Sequence, residues 1–189
     1  MSGVAGGVGP VAAAVSTAMA LAKGEYDLIV SAGIAGGFAG RAAIGDVVVS
    51  SSVRWADLGA ATDEGFLDLA GLGLGGGEAL TSPALDRVVS ALEAAAVPAH
   101  VGEILTLATM TGTDQRAADL ASAHPAALAE AMEGYGVAWA AAAAGVPWVE
   151  VRAVSNLIGR RDRSTWNIPA AFSALRRAMG ALTGAAPKP

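Results

Sequence analysis

The chain predicts an α/β domain with a largely parallel sheet between helical layers. Three observations point there. Helix-like and strand-like segments alternate along the 189 residues, the pattern of βαβ units. Hydrophobic residues make up 53% and charged residues 15%, enough for one sizeable core and against disorder. Ala, Gly and Val outnumber the aromatics, which suits small-residue helices lying close to a sheet.

The elements follow in order. A glycine-rich turn containing Gly6, Gly7 and Gly9 precedes a helix over 10–22, with Pro10 at its first position. The apolar stretch from Val4 to Ala22 has no basic flank and consists of small residues, so it reads as a buried helix rather than a signal peptide or membrane span. A run of β-formers at 26–31 predicts a strand, and 33–40 predicts a glycine-rich loop. The triplet Val47-Val48-Val49 marks a strand over 46–54. Residues 55–77 are expected to be an irregular surface excursion or lid. Ser82 caps and Pro83 opens a helix reaching about residue 96. A strand over 100–107 comes next, then a helix capped by Thr113 or Asp114 that ends near His124 and Pro125. Residues 127–133 read as a strand leading into Gly134, and 135–144 as a helix stopped by Gly145 and Pro147. A strand over 148–154, a helix over 168–182 and a frayed tail at 185–189 complete the chain. Trp55, Trp139 and Trp166 are assigned to the core, with interface or ligand stacking as the alternative.

Composition excludes several functions. The net charge of −5 disfavours nucleic acid and anionic membrane partners. Without cysteine there are no disulfides or thiolate metal sites, and His100 and His124 are the only imidazoles. No metal or cofactor is expected, and the compartment is expected to be the cytoplasm.

Ligands of open α/β sheets collect at the carboxyl ends of strands. Gly33 to Gly37, Glu133 and Asn156 are all expected just after strands, so they converge on one site. The glycine run has neither the lysine of a phosphate-binding loop nor the spacing of a dinucleotide fingerprint. Glu133 can accept hydrogen bonds from sugar hydroxyls, with Met132 packed on the sugar face. Its structural alternative is a carboxylate at a helix N-terminus. Arg152 lies in an apolar run and needs a carboxylate partner. The amide of Asn156 both donates and accepts, as the edge of a 6-oxopurine requires. It can equally close a turn.

Five blocks together resemble the nucleoside phosphorylase and hydrolase superfamily, near the methylthioadenosine/adenosylhomocysteine nucleosidases. They are residues 7–13, 31–37, 45–50, 132–134 and 152–156. Residues 131–137 (AMEGYGV) and 155–163 (SNLIGRRDR) are most similar to the futalosine hydrolase subfamily of the alternative menaquinone pathway. The resemblance implies a three-layer phosphorylase/hydrolase-like fold with a central mixed, largely parallel sheet. It implies hydrolysis of the N-ribosidic bond of futalosine, releasing hypoxanthine and dehypoxanthine futalosine. Asn156, Glu133 and Arg152 are the implied catalytic residues. Met132, Ile34, Ala35, Gly36, Met110, Thr111, Gly112 and Ser155 are the implied substrate contacts. Adenine nucleosidases of this group carry Asp where this chain has Asn156, which favours hypoxanthine. Phosphorylases carry Arg and Ser where this chain has Ser31 and Ile34, which favours water as nucleophile.

Arg160, Arg161 or Arg163 are candidates to pair with the benzoate of futalosine; a solvated charge cluster is the alternative. The implied assembly is a homodimer or higher homo-oligomer. The family's first strand and its acidic water-activating loop have no counterpart here. The expectation is therefore a single, N-terminally truncated domain spanning 1–189, or substitution of the lost carboxylate by Asp57 or Glu103. An adenine nucleosidase, or a catalytically impaired nucleoside-binding fragment, stands as the alternative function.

Overall fold

The structure, a computed structural model, describes residues 2–184; the tail assigned to 185–189 lies outside them. The elements in chain order are α1 (Pro10–Leu21), β1 (Ile29–Gly37), β2 (Val47–Trp55), β3 (Gly59–Thr62), β4 (Gly65–Asp68), β5 (Leu80–Thr81), α2 (Leu85–Ala94), β6 (His100–Thr106), α3 (Asp114–Ala123), β7 (Ala127–Ala131), α4 (Gly134–Ala143), β8 (Trp148–Leu157), a short 3-10 turn (Arg163–Thr165) and α5 (Ile168–Thr183).

Six strands form one mixed sheet in the order β5-β2-β6-β7-β1-β8. Parallel pairs (β1–β8, β2–β6, β6–β7) carry most of the rungs, and β1–β7, β2–β5 and β2–β8 are antiparallel. Because β8 also pairs with β2, the sheet curls until five strands close a ring. Strand β8 is buried from Trp148 through Ser155, as befits a strand covered on both faces. On one face Val149, Val151 and Ala153 pack with Val88 and Leu92 of α2 and with Ala171, Ala174 and Ala178 of α5. Helix α4 lies over Val53 and Trp148 and also contacts α1.

Local chemistry explains several helix ends. Gly9 precedes Pro10 with φ 89°, and proline opens α1. Thr113 accepts a hydrogen bond from the Arg116 amide, as an N-cap should. Gly145, at φ 69°, follows α4. At Gly136 a Cβ would lie 2.0 Å from the Pro10 carbonyl oxygen, so glycine is what lets α1 and α4 approach.

Several expectations are corrected. Residues 33–37 are strand, not loop: β1 begins at Ile29 and runs to Gly37. Its glycines make room for neighbours. A Cβ on Gly33 would fall 2.4 Å from Arg152 Nη1, and one on Gly37 would fall 2.8 Å from Val154 Cγ1. Strand β8 likewise continues past Val154 to Leu157, so Asn156 lies within it. Residues 55–77 contain a two-stranded hairpin of β3 and β4. Ser82 does not cap a helix. Its hydroxyl meets Ser50 Oγ at 2.6 Å in the interior, and α2 starts three residues later with Ala84 at its N-cap. Trp139 is 55% exposed and is not core. Its ring stacks on Tyr135 instead.

Candidate functional site

Arg152 organises the site. It stands on β8 beside Gly33 of β1, and its side chain is 5% exposed. Nε donates to Glu150 Oε1 at 2.7 Å. Nη1 donates to the Ile34 carbonyl at 3.3 Å. Nη2 donates to Glu133 Oε2 at 3.1 Å and to Ser31 Oγ at 3.4 Å. The expected carboxylate partner is therefore a pair, one on Nε and one on Nη2. Such double pairing is what makes a buried charge tolerable.

Glu133 occupies the N-cap position of α4, yet its side chain caps nothing. It leaves the helix to meet Arg152, and its other oxygen accepts from the Gly9 amide at 3.3 Å. Both oxygens are held, while the side chain keeps 22% of its surface open. The carboxylate is thus fixed and still reachable. Gly9 was not foreseen as a site residue, although its block carried part of the family resemblance.

Asn156 lies three rungs further along β1, beside Gly36. At about 3.3 Å per residue this separates Arg152 and Asn156 by about 10 Å along one seam, the scale of a nucleoside. Between them Ser155 forms a bulge, because Ala35 pairs with Val154 and Gly36 with Asn156. The Ser155 hydroxyl lies 3.1 Å from the Ala35 carbonyl and 2.8 Å from Asn156 Oδ1. With Oδ1 accepting there, Nδ2 is the outward donor, and it meets the Leu157 carbonyl at 3.0 Å.

Gly36 gathers further groups. A Cβ there would be 3.4 Å from Glu130 Cγ and 3.5 Å from Asn156 Nδ2. Glu130 is 1% exposed on β7. It accepts from the Thr111 amide at 3.0 Å and from the Thr111 hydroxyl at 2.5 Å. Burial pushes the Glu130 carboxyl above its ordinary value, and the two Thr111 hydrogen bonds pull it back. Thr111 and its neighbours Met110 and Gly112 therefore form a loop pinned beside Asn156. Met132 is half-buried between β7 and α4.

Two expected substrate contacts take a different form. The Ile34 side chain packs into the core toward α5, on the sheet face away from Arg152. Ala35 packs with Val48 and Val154 inside the curled sheet. Strand alternation sends them to opposite faces, and it is their carbonyls that bond Arg152 and Ser155. The two proposed substitute carboxylates are engaged as well. Asp57 accepts from Trp55 Nε1 and from the amides of Ala108 and Thr109, so it secures the start of the Thr111 loop. Glu103 is paired with Arg54 at 3.2 Å, next to the start of β7.

Arg161 and Arg163 lie over the Trp166 ring, 5.0 and 5.7 Å from its centroid. A cavity of about 360 Å³ lined by Leu80, Pro83, Val146 and Trp148 lies apart from Arg152 and Asn156. Among the described residues no group of three or more His, Asp or Glu side chains is placed to hold a metal ion.

Comparison with known proteins follows the same lines. The family model of the phosphorylase superfamily matches residues 1–185. Futalosine hydrolase of Streptomyces coelicolor is 52% identical over 184 residues, covering 95% of this chain and 77% of that protein. Futalosine hydrolase of Acidothermus cellulolyticus is 49% identical over 166 residues, covering 87% and 68%. Among solved structures, the methylthioadenosine/adenosylhomocysteine nucleosidase of Colwellia psychrerythraea in complex with adenine superposes with a TM-score of 0.81. It is 27% identical, with 95% of this chain and 76% of that one covered.

Proposed function

The chain belongs to the phosphorylase superfamily, and within it we propose that the chain is a futalosine hydrolase, cleaving the N-ribosidic bond to release hypoxanthine and dehypoxanthine futalosine. The two relatives at 52% and 49% identity support this assignment over the adenine-releasing one. The reaction is a step toward menaquinone. No helix among the described residues is long and apolar enough to cross a membrane. We propose the cytoplasm as the compartment.

One observation carries the reading to residues: Arg152, which anchors the Glu133 carboxylate, and the amide of Asn156 stand on one strand seam, about 10 Å apart along it and so on the scale of a nucleoside. Glu133 accepts the ribose hydroxyl protons and faces the positive charge that grows on the sugar as the C1′–N9 bond stretches. Asn156 donates through Nδ2 to O6 or N7 of the departing hypoxanthine and stabilises its negative charge. Arg152 holds Glu133 in place. Met132 covers the sugar, and the loop of Met110, Thr111 and Gly112 borders the base, with Ser155, Ile34, Ala35 and Gly36 forming the backbone wall. Groups that need no rearrangement as charge develops commonly contribute several kcal/mol to lowering a barrier. Exposed apolar side chains on α1 and α4 (Val11, Val15, Met19, Trp139) support assembly as a homodimer or a larger even oligomer.

The test is incubation with futalosine, inosine and methylthioadenosine while free base is followed by chromatography. Hypoxanthine from futalosine without added phosphate is expected. Adenine release alone overturns the substrate, and a phosphate requirement overturns hydrolysis.

A further inference from the structure

We infer that Glu150 is a positioning residue for this reaction, balancing the charge of Arg152 from a niche that Gly134 opens, a role that rests on the reading of Glu133 given above. Glu150 and Arg152 are two residues apart on β8 and therefore share a face. Glu150 is 1% exposed. Its Oε1 takes the guanidinium Nε and leaves Nη2 for Glu133 and Ser31. Its Oε2 has no hydrogen-bond partner. That oxygen lies against Gly134, where a Cβ would sit only 1.8 Å away. No side chain other than hydrogen fits at 134 while a carboxylate stands at 150.

The charge count gives the arrangement its purpose. Two carboxylates flank one guanidinium, so the group of three is net negative when both are ionised. With Glu150 neutralising Arg152, the charge of Glu133 remains available to the cationic sugar. Without Glu150, Arg152 and Glu133 cancel each other. The carboxylate would keep its place but lose much of its pull on the sugar. Burial pushes the Glu150 carboxyl up, while Arg152 favours its ionised form; Glu133 is the other charge acting on it.

The experiment pairs kinetics with melting. In Glu150→Gln the amide oxygen can still accept from Nε, but the charge is gone. The expected result is a fall in kcat of about tenfold or more, with KM for futalosine little changed. The preference for futalosine over its 2′-deoxy analogue should shrink as well, which a merely structural role would not produce. Unchanged kcat and unchanged preference overturn the role. Gly134→Ala should lower the melting temperature, and the same substitution should cost much less in a Glu150→Val background, where the overlapped carboxylate is gone. Additive losses overturn the niche. If the wild type leaves futalosine intact, the proposed substrate falls instead, and melting still decides whether residues 134 and 150 are coupled.

Discussion

Thr111 donates twice to the buried carboxylate of Glu130, through its amide at 3.0 Å and its hydroxyl at 2.5 Å. This clamp ties the loop after β6 to the end of β7, next to Gly36 and Asn156. Thr111→Val keeps the shape and removes the hydroxyl. One carboxylate oxygen is then buried without a partner, which costs about 1–3 kcal/mol. Chemical denaturation should show that loss. KM for the nucleoside should rise several-fold while kcat changes less, because in the proposed site the loop borders the base rather than the breaking bond.

Glu130 also makes a pH prediction. Burial raises its folded-state pKa above the ordinary 4.5. The folded protein therefore holds this proton more tightly than the unfolded chain does. Its stabilising contribution is full below 4.5 and is lost as pH rises through the folded value. Glu130→Gln removes that titration. Its melting temperature relative to wild type should climb as pH increases from 4.5 toward neutrality. A constant offset across that window would mean that Glu130 does not titrate differently on folding.

Arg152→Met strands Glu150 in the interior. Breaking a buried ion pair from one side costs about 3–5 kcal/mol. The Glu150 carboxyl is already pushed upward by burial, and losing Arg152 pushes it further. A protonated acid tolerates burial better than a carboxylate. The defect should therefore be largest at neutral pH and should ease on acidification, measured as unfolding midpoints of variant and wild type. A defect that deepens toward acid would contradict the assignment.

Asn156→Asp tests base recognition. Nδ2 is the outward donor in the present arrangement, since Oδ1 accepts from Ser155. A carboxylate accepts only, and in the proposed site it would face O6 of hypoxanthine, another acceptor. Futalosine cleavage should drop by about tenfold to a hundredfold, as expected when a buried polar pair costs 1–3 kcal/mol. Adenine release from methylthioadenosine should gain relative to it. Equal losses on both nucleosides would place Asn156 outside base recognition.

Much of the site was legible locally. The need of Arg152 for a carboxylate follows from its apolar neighbours, and the cap at Thr113 and the stop at Gly145 follow from rules spanning a few residues. Which carboxylates Arg152 would find was not legible. Glu150 is two residues away in the chain, but its burial depends on the Gly134 backbone from another element. Glu103, offered as a substitute for the water-activating carboxylate, is claimed by Arg54.

The sequence by itself determined the alternation of elements, the buried character of β8 and the residue types available for a sugar and a purine. Tertiary structure decided where those groups meet. Residues 33–37 show why: glycine in sequence permits a turn, but pairing with β8 and β7 makes the segment a strand, and the side chains of Arg152, Val154 and Ile158 fill the space that a Cβ would need. The closing of β8 onto β2 likewise depends on contacts far apart in the chain, beyond the reach of local propensity.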